Sequence, residues 1–558
     1  YTYYGPTAKF WRRTKLATAY DAEAKYGIEF DYSYNGKTNT IFEYVYEGST
    51  KLYGAKMHGY KRSHLLAVYR DYGKDQDPYN PDDYLTFKVL NRTGRLICGY
   101  TTDADETRIL GSSAASYTSN TNRKAKNLLA ANAYTGQPGV NLLRNGDAEN
   151  VGSYWSAITT STAAHWSGSY AFVLNSQYPS FYQLADLAGG KAYTFSGYVR
   201  LDNAIADGGV YLALLDANTG TELARSQSVN VVTGGINNGW QRLTVTYKPS
   251  SYVRVKASVI STGLGSNTAY ADCLQLERED AASTYNLIET GSFDQLTSVP
   301  VVGGNIFGWY YAGNIAFENG GNFGAKVAKI NGRSGPQRVS QNITVNAPAG
   351  STFLLSGWGK ANALPGSVPV ITPETQDRPY YGLVARLYYA DGSSEPFYFS
   401  FDPYFSEWQE RSGILMPSEA NQNKAITSVT VVAAYDNNAN TAYFDNISLR
   451  LEPSQTYRYD ANGNPVAATQ PGTGSESATY SGIDLTGYTA ANGTKYTYTY
   501  NSAHDVTTAK VGGLTATTIY NAAGNVTGSK LTATGTSLYM ETSATTTTDK
   551  NHTASLTD

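Results

Sequence analysis

The 558-residue chain has little of what metal and thiol chemistry requires: two cysteines, five histidines and three methionines. Zinc centres draw several Cys and His ligands into short fixed spacings, so zinc chemistry is excluded. Cys98 and Cys273 stand far apart. One long-range disulfide would fit, but two separate buried thiols are the expected state. Charged residues make up only 16%, and the formal net charge is −3. A charge so near zero argues against a nucleic-acid partner held by phosphate neutralisation. No stretch approaches 18 apolar residues, so no membrane-spanning helix is expected. Ala/Leu/Glu/Lys periodicity is weak, which excludes helical bundles and coiled coils. The ends, YTYYGPTAKF and TTTTDKNHTASLTD, show neither a leader nor an anchor pattern. They suggest an internal piece of a larger secreted or cell-surface chain.

What is abundant is tyrosine, at 48 positions, with 54 glycines and much Thr, Ser and Asn. Such a mixture suits pleated, half-buried surfaces broken by turns, so the chain should be all-β. An internal duplication organises the middle. Asn141-Leu142-Leu143-Arg144-Asn145-Gly146 is echoed by Asn286-Leu287-Ile288-Glu289-Thr290-Gly291. Ser196-Gly197-Tyr198, Gly239-Trp240-Gln241 and Tyr270-Ala271-Asp272 then match Ser356-Gly357-Trp358, Glu407-Trp408-Gln409 and Tyr443-Phe444-Asp445 in the same order. The offset grows along the chain, as two copies with loop insertions in the second would give. Short alternating segments separated by turn clusters make each copy a two-sheet sandwich or jelly roll.

After Pro453 the period changes. Tyr459, Tyr480, Tyr500, Tyr520 and Tyr539 recur about every 20 residues, and three of them head related phrases: TYRYDANGNPV, YTYNSAHDVTT and TIYNAAGNVTG. Each reads as a strand, a tight Asp/Asn/Gly turn and a second strand. Residues 1–111 are tyrosine-rich and hold similar phrases, FDYSYNGKTN and FKVLNRTGRLICGY. The small polar stretch 112–140 reads as a connector.

Chemistry-bearing motifs are missing. No GxSxG elbow, HExxH pair or phosphate-cradling GxxxxGK[ST] occurs. His58 and His64 share a basic stretch that reads as a solvated surface. Glycoside hydrolysis needs two carboxylates facing across a cleft, and nothing in the sequence pairs them so. No catalytic residues and no enzyme are therefore expected.

The tyrosine phrases resemble YD repeats of the RHS/YD-repeat superfamily, best at Tyr457-Arg458-Tyr459-Asp460-Ala461-Asn462-Gly463-Asn464. At Tyr500 the expected Gly is replaced, which leaves the register there open. The duplicated middle resembles jelly-roll carbohydrate-binding modules, through NLLRNGDAE, SGYVR, GWQRL and YADCLQLE in that order, and more loosely through NLIETGSFD, SGWGK, EWQER and YFDNISLRLE. Together these imply YD-repeat β-sheet segments (1–111 and 454–558) flanking two tandem jelly-roll β-sandwiches (141–285 and 286–453).

The resemblance implies further expectations. The first and last strands of such a module lie side by side, and a structural calcium there would use Asp147, Glu149 and Asp272, or Asp294 and Asp445 in the second copy; the alternative is that these carboxylates only hold turns. Sugar rings stack on exposed aromatic faces. The candidates are Trp155, Trp166, Tyr178, Tyr182 and Tyr211, then Trp309, Tyr310, Tyr311, Tyr380, Tyr381 and Tyr404. The expected role is extracellular structure and adhesion on a bacterial surface, with glycan partners and self-association both open. The alternatives are a casing for a C-terminal toxin, a fibre-forming architectural protein, and the binding part of a polysaccharide-degrading enzyme.

Overall fold

The computed structural model describes the strands within residues 1–135 and then residues 140–538, apart from 151–153, 233–238, 295–304, 307, 322–325, 362–378, 402–407, 453, 471–473 and 534–535. No helix occurs among the described residues, and the fold is all-β. Packing divides the chain into two units, residues 1–115 with 133–452 and residues 116–132 with 453–558.

The first unit opens with a meander. Strands Leu16–Asp21, Tyr26–Tyr34, Thr38–Glu47, Thr50–Tyr60, Leu65–Asp71, Tyr84–Leu90, Leu96–Thr102 and Ile109–Tyr117 each pair antiparallel with the next. Strands Ile109–Tyr117 and Leu128–Thr135 occupy about half of what reads in sequence as the connector 112–140. Small residues alternating through SSAASY and LLAANAY suit a sheet, and their polarity alone suggested a linker. The side chains of His58 and His64 lie outside the described residues.

Each duplicated segment folds into its own two-sheet sandwich. In the first, one sheet runs Thr159–Ser161, Ala171–Leu174, Ala269–Glu277, Tyr193–Leu201 and Gln241–Tyr247, and the other Ser180–Leu187, Val253–Thr262, Gly209–Asp216 and Glu222–Arg225. In the second, a five-stranded sheet (Asn314–Asn319, Lys326–Asn331, Thr441–Leu451, Phe353–Ala361, Gln409–Leu415) faces a six-stranded one (Asn305–Ile306, Trp309–Ala312, Arg338–Ala347, Ile426–Asp436, Tyr380–Tyr389, Ser394–Ser400). Period-2 alternation sends Phe195, Val199, Leu212, Val255 and Leu276 into one core, and Phe353, Leu383, Val431, Tyr435 and Phe444 into the other.

The duplication extends to hydrogen bonds. Asn141 Oδ1 accepts from the N–H groups of Leu143 and Leu276, and Asn286 Oδ1 from those of Ile288 and Leu449. Gly146 and Gly291 sit so tight against the closing strand that a Cβ would stand about 2 Å from the carbonyl oxygens of Leu274 and Ile447 (2.1 and 2.0 Å), so only glycine fits. Gln183 clamps the backbone of Arg144 through both ends of its amide, and Gln341 does the same to Glu289.

The two sandwiches also touch each other. Glu289 Oε1 accepts the Asn145 N–H at 2.8 Å, Asn346 Nδ2 donates to Ser169 Oγ at 2.7 Å, and Asn286 N–H donates to Gln275 Oε1 at 2.7 Å. Trp166 and Tyr198 stack at 4.0 Å and pack against the second sandwich's core.

In the second unit, strands from Gln455–Tyr459 to Thr536–Leu538 form a meander in which each pairs with the next. The 20-residue tyrosine period is one hairpin: Tyr459, Tyr500 and Tyr520 end alternate strands, Tyr480 stands next to last in the one between, and a register shift falls at each of them. The Tyr500 and Tyr520 hydroxyls donate back to the carbonyls of Leu485 and Val506, both at 2.9 Å. Tyr539 lies outside the described residues.

The turns after Tyr459, Tyr500 and Tyr520 are alike. Oδ1 of Asp460, Asn501 and Asn521 caps the N–H groups two and four residues on. Gly463 and Gly524 take φ of 88° and 80°, and His504 takes the same left-handed place at 68°. The repeat register is therefore kept at Tyr500, with His504 carrying the strain a glycine avoids. Its ring offsets this with a 3.0 Å contact to Asp484, an exposed pair worth about 0–1 kcal/mol. His504→Gly should accordingly be near neutral, whereas Gly524→Ala should weaken its hairpin by about 1 kcal/mol. Amide hydrogen exchange of the two hairpins tests this; equal losses in both variants would contradict it.

Candidate functional site

The acidic residues at the sandwich ends act as anchors. Asp272 is fully buried, and its carboxylate accepts N–H groups from Trp166 (2.6 Å), Ser167 (3.1 Å) and Cys273 (2.6 Å). Glu149 Oε1 accepts those of Ser169 and Tyr170 at 2.6 and 2.9 Å. The two side chains thereby pin the loop 166–170 to the entry segment and to the last strand, Ala269–Glu277. Asp147, beside them, is pushed up to about 7 by burial, with Glu289 and Glu149 adding to the effect. Burial, with Asp147 nearby, also raises Asp272. In the second copy Asp294 accepts from Lys326 N–H and Asp445 from Asn446 N–H.

Calcium takes six to eight oxygens. Here Glu149 and Asp272 direct oxygens at N–H donors, and no group of three His, Cys, Asp or Glu that could hold a metal occurs among the described residues. Cys98 and Cys273 are both buried free thiols, and Cys98 Sγ accepts from Arg411 at 3.1 Å.

Most of the aromatic candidates belong to the cores. Trp155 and Trp309 are equivalent: each is buried and donates its indole N–H at 3.0 Å to the backbone of the entry segment, Arg144 and Glu289. Tyr311, Tyr380 and Tyr381 are buried in the second sandwich. A ring packed on both faces has none left for a sugar, which removes these five as stacking residues. Trp166 is committed to the junction between the sandwiches. Tyr178 is half-buried in a turn held by Asn175. Tyr404 lies outside the described residues. That leaves Tyr182, Tyr211 and Tyr310.

These three stand on the outer faces of the two sheets whose opposite faces line the cores. Cross-strand partners share a face. In the first sandwich the pairs Leu184↔Lys256, Tyr182↔Ser258, Ala213↔Ser258, Tyr211↔Ile260 and Ala213↔Arg225 thus place Tyr182, Leu184, Lys256, Tyr211 and Arg225 on one side. Lys256 Nζ lies 4.9 Å from the Tyr182 ring centre, and the Arg225 guanidinium 5.4 Å from that of Tyr211. In the second, Tyr310, Ser340, Val432, Val384 and Tyr398 share a side by the same reasoning, as do Asn342, Thr430 and Arg386. Tyr310 is 47% exposed. Arg338 Nε donates to Asp436 at 2.8 Å, while Arg386 donates to Ser394 Oγ at 3.1 Å. Sequence reading missed Lys256, Arg225, Arg386 and Tyr398, because only register brings them beside the tyrosines.

No protein-family model matches the chain. Among curated proteins it is similar to the tRNA(Glu)-specific nuclease WapA of Bacillus subtilis subsp. natto (26% identity over 361 residues, 58% of this chain) and to the tRNA nuclease WapA of Bacillus subtilis strain 168 (25%, likewise 58%). The chain spans only 14% of the length of either relative. Among solved structures it is similar to the tandem CBM22 domains of Paenibacillus barcinonensis Xyn10C (15% identity, 57% of this chain and 99% of that one, TM-score 0.21). It is also similar to a family 16 carbohydrate-binding module (20% identity, 24% of this chain and 84% of that one, TM-score 0.18). The sandwich architecture rests on the strand order above, not on these likenesses. The curated relatives overturn the expectation that no enzyme is involved, since they are named as nucleases, and with it the exclusion of nucleic acid drawn from net charge.

Proposed function

We propose that the two sandwiches are glycan-binding modules, carried with a YD-type hairpin sheet on a larger bacterial protein related to the nucleases named above. The carrying observation is the pair of open sheet faces, each with half-exposed tyrosines beside hydroxyl, amide and cationic side chains. An amphipathic ring supplies the stacking surface for a pyranose, and the polar neighbours reach its hydroxyls. Two shallow sites on one packed tandem raise overall affinity through effective concentration. Secretion to the cell surface belongs to the same reading.

A glycan array probed with the chain tests it. Binding that weakens on Tyr182→Ala or Tyr310→Ala, with stability unchanged, is the expected result; no bound glycan overturns it. Repeating the array and a melting curve with a chelator tests calcium at Asp147, Glu149 and Asp272. Unchanged melting and binding would sink that part. The relatives' names favour a second reading, in which a protein of this kind acts on tRNA. Incubating tRNA with the chain shows whether that chemistry extends into these 558 residues.

A further inference from the structure

We propose that the four-stranded face of the first sandwich takes an acidic glycan, a sugar chain bearing carboxylate or sulfate groups, with Lys256 reading the negative charge. The inference rests on the glycan-binding reading above and narrows it to one ligand chemistry. Lys256 sits on Val253–Thr262, an inner strand of the sheet, and pairs with Leu184 on one side and Leu215 on the other. Two other cations lie close by, and both are committed: Arg225 to Glu222 at 3.6 Å and Arg254 to Asp186 at 3.7 Å. Asp186 also accepts the Tyr252 hydroxyl at 2.7 Å. Of these three cations only Lys256 makes no ion pair among the described residues, and its ammonium rests on the Tyr182 ring. The face therefore carries one surplus positive charge near its middle.

That placement separates acidic from neutral ligands. A neutral pyranose lying flat on Tyr182 must displace the ammonium from the ring and gains nothing ionic in return. A carboxylate or sulfate can meet the ammonium where it stands, keeping the cation–π contact and adding a charge-assisted hydrogen bond. The apolar Leu184, 44% exposed, and the Tyr211 ring then offer surface to the sugar carbons on either side. The second sandwich's open face holds one cation of the same kind: Arg386 makes no ion pair among the described residues. A charged polymer spanning both faces would meet an uncommitted cation on each.

The test measures affinity of the full chain for polygalacturonate, dextran sulfate, neutral galactan and neutral dextran by titration calorimetry, with tRNA as a further probe. Expected is binding of an acidic polymer that weakens with added salt, falls about tenfold in Lys256→Gln and is restored in Lys256→Arg, while melting stays unchanged. Which acidic polymer binds then names the group, carboxylate or sulfate. Galactan or dextran bound as tightly as the acidic polymers, with no effect of Lys256→Gln, would overturn the inference and leave glycan binding intact. If no polysaccharide binds, both fall together. Preferential tRNA binding with the same Lys256 dependence would overturn it by giving the face to a nucleic acid.

Discussion

Trp309→Ala is expected to cost the second sandwich about 3–5 kcal/mol, while Tyr310→Ala, one residue along, should change stability by no more than about 0.5 kcal/mol. The two side chains leave the same strand in opposite directions. Trp309 has no exposed surface, lies 5.1 Å from Phe293 ring to ring, and donates its indole N–H to Glu289 at 3.0 Å. Its loss opens a cavity among aromatic neighbours and leaves a buried carbonyl short of one donor, and the two penalties act in the same direction. Tyr310 is 47% exposed and stands outside the buried core cluster. Urea unfolding followed by circular dichroism reads both variants, and the same samples can be put on the glycan array. If Trp309→Ala proved mild while abolishing glycan binding, Trp309 would be a contact residue and the core assignment would be wrong.

That strand also shows how much was legible beforehand. Trp309, Tyr310 and Tyr311 all stand among the candidate sugar-stacking rings of the sequence. The strand's two-residue period instead makes them buried, exposed, buried. Tyr380 and Tyr381, candidates on the same ground, begin a ten-residue strand whose first four positions are buried.

What spacing carried is visible in the described strands. The duplicated landmarks fall at equivalent places in two sandwiches, and the tyrosine period is one hairpin of the meander, held by hydroxyl-to-carbonyl bonds. What could not be read depends on register between distant strands. Lys256 is an unremarkable lysine in VRVKASV until pairing sets it beside Tyr182, 74 positions earlier in the chain. Trp166 was a candidate sugar-stacking ring because the partner it packs on belongs to the next sandwich and is invisible in the local sequence.

Glu410→Gln should stabilise the protein by on the order of 3–5 kcal/mol at pH 8 and by almost nothing near pH 4. Glu410 lies on Gln409–Leu415, a strand with every residue buried, beside the Ser412 hydroxyl. Burial pushes it from 4.5 up to about 8, and the nearby guanidinium groups of Arg411 and Arg450 only partly offset that. Because the folded value lies above the unfolded one, the native state holds a proton that the unfolded chain releases. The associated stability is complete below about pH 4.5, declines as pH rises, and is gone above about pH 8. The slope approaches 1.4 kcal/mol per pH unit within that window. Glutamine keeps the shape of the protonated side chain and carries no charge to desolvate, so the variant should lose this slope. Asp147, raised to about 7 by burial, shifts stability in the same direction and remains in the variant, so a shallower dependence should persist up to neutrality. Unfolding free energies of both proteins at pH 4, 6 and 8 decide the matter. Parallel curves would mean that Glu410 is already ionised in the native state, with its charge met by Arg411 or Arg450, and the variant would then be destabilised at every pH by leaving those guanidinium groups without their counter-charge.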